Sequence, residues 1–83
     1  MKTSQVRFEQ LQGFLEQLGF SERPDPQGWR FEHRPSDTVF LFRRYRPTDC
    51  VYQHDLLLVR SQLNHRGLTT EEAFNDSLTK TPA

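Results

Sequence analysis

Only one cysteine, Cys50, is present, so no disulfide can close within the chain and its thiol content calls for no oxidising compartment. No stretch approaches the roughly 20 consecutive apolar residues of a membrane span. The segment from Met1 to Gln10 lacks the apolar centre of a secretory leader. A cytoplasmic location without a membrane partner is therefore the expectation. Net charge is also missing: eleven cationic residues balance eleven acids, far from the basic excess and pI above about 9 of a dedicated nucleic-acid binder. Lysine is scarce, because nine of those cations are arginine, whose planar fork suits carboxylates and phosphates. There is no glycine-rich phosphate loop, no Gly-x-Ser-x-Gly elbow and no paired-carboxylate motif, so no small-molecule cofactor is expected.

What the chain does have is large aromatic side chains. The apolar share is only 34%, but seven Phe, one Trp and two Tyr fill a core efficiently in 83 residues. That length suits a single domain, expected over 1–83, which buries roughly 60 to 65% of its unfolded surface. Charge is unevenly spread. From Arg30 to Arg66 seven arginines face four acids, while the flanks carry the compensating acidic excess.

Ser4 reads as the N-cap of a first helix in which Phe8, Leu11, Leu15 and Leu18 recur at helical spacing, with Gly19-Phe20 ending it. A short edge strand at Phe20 to Glu22 is followed by the breaker-rich Arg23-Pro24-Asp25-Pro26-Gln27-Gly28. A second strand runs near Trp29 to His33, Arg34-Pro35-Ser36-Asp37 turns the chain, and a third strand covers Val39 to about Arg44. A second helix is expected from about Gln53 to Arg66, closed by Gly67-Leu68. Thr69 and Glu72 form a capping box for a short third helix through Leu78, and 79–83 reads as a flexible tail. The expected class is α+β: a small α-β-β-β-α two-layer sandwich with an antiparallel three-stranded sheet, helices on one face and a short C-terminal helix. A fold with the third strand central and buried by helices on both sides is the alternative.

This order, and three segments, resemble the HicA toxin family, whose members have a double-stranded-RNA-binding-domain-like fold. The segments are Leu15-Glu16-Gln17-Leu18-Gly19-Phe20, Phe31-Glu32-His33-Arg34-Pro35, and the run from Arg60 to Thr69 that ends Gly67-Leu68-Thr69. Together they span roughly Phe8 to Leu78. The resemblance implies a small bacterial toxin–antitoxin protein related to RNA-cleaving enzymes. Those enzymes place a histidine after a Gly-Ser pair at the start of the second strand. Counting back from Phe31 to His33 puts Gly28 there, within Pro26-Gln27-Gly28-Trp29. A glycine is neither acid nor base, so the family's ribonuclease activity is not implied and no catalytic residue is assigned.

The three histidines form no constellation. His33 shares a strand face with Trp29 and Phe31 and reads as structural. His54 and His65 lie eleven residues apart on one helix, too far to chelate one ion, so no metal site is expected. Cys50 reads as packing.

Two functions follow. Val39 to Phe42 is apolar on both sides of its strand, although a sheet with helices on one face needs only one apolar face. The excess points to a non-catalytic module that self-associates or binds a protein partner through the outer sheet face, using Val39 and Leu41 or Phe40 and Phe42. The second function is RNA binding, with or without residual cleavage. Arg30, Arg34, Arg43, Arg44 and Arg46 would meet phosphates, and Trp29, Phe40 or Tyr45 would stack on unpaired bases.

Overall fold

A computed structural model describes residues 3–79. The chain runs β1 (Thr3–Arg7), α1 (Phe8–Gln17), β2 (Ser21–Asp25), β3 (Gly28–His33), a 3-10 turn (Arg34–Ser36), β4 (Thr38–Arg43), β5 (Cys50–Tyr52), α2 (Gln53–His65) and α3 (Glu71–Thr79). The α+β class is as expected. β2, β3 and β4 form an antiparallel sheet in that order, and β1 pairs with β5 in a separate ribbon. β4 is thus an edge strand, not a central one, which disposes of the alternative topology.

Both long helices end as their glycines dictate. After α1, Gly19 takes φ 97°. Its N–H reaches the Glu16 carbonyl at 3.0 Å and the Phe20 N–H reaches that of Leu15 at 3.0 Å. After α2, Gly67 at φ 72° and Leu68 repeat the pattern on Asn64 and Leu63, at 3.1 and 2.9 Å. Two bonds of this kind satisfy the last carbonyls of a helix, and the left-handed position suits glycine.

The start of α1 differs from the expectation. Ser4 is no cap: it lies in β1, where its hydroxyl donates to the Val51 carbonyl at 2.7 Å and accepts from the Val6 N–H at 3.1 Å. There it bridges the irregularity in the β1–β5 register between Thr3↔Tyr52 and Arg7↔Cys50. The helix begins at Phe8 because the loop after β4 supplies its acceptors: the Phe8 and Glu9 N–H groups bond the Asp49 and Pro47 carbonyls at 2.8 and 3.0 Å. α3 also starts later than expected. Thr70, not Thr69, receives the Ala73 N–H at 3.1 Å, so the Thr69–Glu72 box does not form. Of the expected tail, Thr79 closes α3 and 80–83 lie outside the described residues.

One core joins all layers. Phe8, at the head of α1, sits 5.1 Å from Tyr45, 5.8 Å from Phe42, 6.2 Å from Phe31 and 6.4 Å from Trp29, ring centre to ring centre. Val59 and Leu63 of α2 and Phe74 and Leu78 of α3 complete it. The helices therefore cover one face of the β2–β3–β4 sheet.

Candidate functional site

Strand register decides what each sheet face displays. Phe31 stands opposite Phe40 and Trp29 opposite Phe42, so these four point to the helices. Glu32 stands opposite Val39, and Arg30 lies between Arg23 and Leu41, so these point outward. Of the two apolar pairs expected to meet a partner, only Val39 and Leu41 are available, at 45% and 66% exposure. Phe40 and Phe42 are corrected: both are buried in the core, because alternation allows one face per parity and the helices take theirs.

The arginine set does not converge. Arg30 is on the outer face, but its Nε binds the Glu32 carboxylate at 2.7 Å. Arg43 lies over the Tyr52 ring at 4.4 Å, with its Nε 4.0 Å from Asp55. Arg44 donates to the Pro26 carbonyl at 2.9 Å. Arg34 is exposed in the 3-10 turn and Arg46 in the loop after β4. Sequence reasoning missed Arg23, which the β2–β3 register sets beside Arg30.

Nor are the proposed stacking rings free. Trp29 is half-buried against the core and its indole N–H donates to the Tyr45 carbonyl at 3.2 Å. Phe40 and Tyr45 are buried. The Tyr45 hydroxyl donates to Asp55 Oδ2 at 2.5 Å and accepts the Tyr52 N–H at 3.0 Å. Burial, then the Asp55 hydrogen bond, push its pKa up to about 12. Tyr45 is a structural tie between the loop and α2.

The titratable groups that general acid–base or metal chemistry would need are dispersed. His33 is half-buried, with Nδ1 2.7 Å from the Ser36 hydroxyl and its ring 5.0 Å from that of Phe20. His54 and His65 are exposed on α2. Cys50, expected in the packing, is exposed at the start of β5, beside a cleft of about 380 Å³ that Arg43, Asp49 and Tyr52 also line. Among the described residues no cluster of three His, Cys, Asp or Glu side chains is placed to hold a metal, and no helix is long and apolar enough to cross a membrane. A Cβ on Gly28 would sit 2.0 Å from the Phe42 carbonyl oxygen, so the β4 backbone occupies the space any side chain there would need.

A second exposed apolar group lies on α2. Leu57 and Leu58 are each 49% exposed. The signal was legible, since Leu56 to Val59 places four apolar residues in succession and one helix face can bury only part of such a run. Comparison with protein-family models, with curated proteins and with solved structures finds no match to the chain.

Proposed function

We propose that the chain is a non-catalytic, HicA-like binding module that works through the outer face of its three-stranded sheet, joining a second copy or another protein. The observation that carries this reading is the exposure of Val39 and Leu41 in a chain that buries eight of its aromatic rings and half of its Val and Leu side chains. Their neighbours Arg23, Arg30 and Glu32 make the polar surround that protein interfaces use around an apolar centre. The order α1–β2–β3–β4–α2 supports the HicA-like part of the reading, and the β1–β5 ribbon is an addition to that order. Gly28, where such toxins carry a histidine, supports the non-catalytic part.

The experiment is sedimentation over a range of protein concentrations at two salt concentrations, for wild type and Leu41→Glu, with RNA titrations in parallel. Association that Leu41→Glu abolishes, with no RNA affinity, is the expected result. Affinity for RNA that falls steeply with salt and with Arg30→Ala would replace this reading with the RNA-binding one.

A further inference from the structure

The two edges of the sheet are unlike. β2 ends one side with Ser21-Glu22-Arg23-Pro24-Asp25, where charge and a proline blunt the edge against further pairing. β4 ends the other with Thr38-Val39-Phe40-Leu41-Phe42-Arg43, which has no proline, no glycine and no charge before its last residue. Among the described residues β4 runs beside β3 alone. An open, regular, apolar edge is a template for another strand.

α2 supplies an independent second surface on the same side. Asp55, near its start, meets Arg43, the last residue of β4, and Tyr45 just beyond it. After its end, Arg66 Nη1 donates to the Ser36 carbonyl before β4 at 2.6 Å. The helix therefore runs back along β4. Leu58 follows Asp55 by three residues, on the same flank, and is half exposed.

We infer that β4 pairs edge to edge with β4 of a second copy, antiparallel about a two-fold axis at Phe40, to make one continuous sheet with Leu58 of each α2 beneath the seam. The inference rests on the proposed association through Val39 and Leu41 and seats the second copy at the β4 edge of that face. The register comes from side-chain matching. With the axis at Phe40, Val39 of each copy meets Leu41 of the other, and Asp37 meets Arg43. Asp37, which precedes β4 in a left-handed conformation, is exposed and, among the described residues, in no ion pair; Arg43, which lies over Tyr52 with its Nε 4.0 Å from Asp55, keeps about half of its side chain exposed. Moving the axis to Leu41 sets Val39 against Arg43, and moving it to Val39 sets Leu41 against Asp37. Each of those shifts opposes an apolar side chain with a charge. Registers of the other parity turn one sheet over, join its core face to the other's outer face and separate the two Leu58 side chains. Only the Phe40-centred register matches apolar with apolar and acid with base, and it is isologous, as two-fold pairing requires.

The test uses the full chain. Wild type, Leu41→Lys and Leu58→Lys are sedimented across a concentration series, with circular dichroism to show that each variant keeps its fold. In a Cys50→Ser background, Val39→Cys and Leu41→Cys proteins are oxidised separately and mixed. The expected results are a wild-type dimer, a dissociation constant raised at least about tenfold by either lysine, and a covalent dimer that forms only in the mixture. A Leu41→Cys or Val39→Cys protein that cross-links with itself alone overturns the register. A dimer lost in Leu41→Lys but indifferent to Leu58→Lys overturns edge pairing and keeps the outer-face reading. A wild-type monomer at every concentration overturns the dimer and leaves that face to a different protein, whereas RNA affinity lost in Arg30→Ala removes the underlying reading itself.

Discussion

The two faces of the β2–β3–β4 sheet are made from the same strands and differ in what a side chain there can contribute. On the inner face Phe31 is fully buried between the helices and the neighbouring strands, whereas on the outer face Leu41, one residue from Phe40, is mostly in water. Hydrophobic residues at successive positions of β4 thus have different roles, and burial, not residue type, separates holding the fold from meeting something outside it.

Substitutions break that comparison at graded depths. The largest expected effect is on the inner face: Phe31→Ala should lower unfolding free energy by about 3–5 kcal/mol. In a domain of this size that is a large part of the total, read from the midpoint of urea denaturation. Gly28→Ala comes next. Its Cβ would press on the β4 backbone, and about 1–3 kcal/mol of overpacking cost is expected from the same measurement, with the β2–β3–β4 sheet perturbed.

Tyr45→Phe tests a polar tie inside the core. Removing the hydroxyl leaves the Tyr52 N–H and Asp55 without their shared partner, at about 1–3 kcal/mol. It also carries a pH signature. The folded-state pKa of Tyr45 is raised to about 12 from 10.0. Its contribution is therefore fully present below pH 10, where the phenol is neutral in both states. It is lost as pH rises towards 12, because the unfolded chain ionises first. Denaturation midpoints between pH 9 and 12 should fall more steeply in wild type than in Tyr45→Phe. The smallest effect belongs to the outer face: Leu41→Thr should change the stability of the dilute monomer by no more than about 0.5 kcal/mol. A large loss there would show that Leu41 supports the fold and would erase the distinction between the faces.

Much of this architecture was legible because it is local. Gly19-Phe20 and Gly67-Leu68 announce helix ends through backbone conformations that only nearby residues determine. The alternation of Trp29, Phe31 and His33 fixes the phase of β3. In β4 the excess apolar content was readable but its phase was not, since a strand that is apolar at every position gives no sign of which parity faces the helices. Register with β3 supplied it. The β1–β5 ribbon was missed for a related reason. Val6 is the one buried residue of β1, and β5 is three residues long, so neither shows alternation. Tyr45 was misread as a free ring because its burial depends on Phe8 and Asp55, which are distant in sequence.

The β1–β5 ribbon also closes the longest loop between paired strands among the described residues. The Ser4–Val51 bond spans 47 positions, and the carbonyls that hold the first turn of α1 belong to Pro47 and Asp49. The β2–β3–β4 meander pairs only neighbours in sequence, so its loops are cheap to close. β1 precedes all of it and pairs with β5, which follows it. Of the described strands the earliest in sequence is thus secured only by the latest, and β1 with β5 acts as a clasp across the chain.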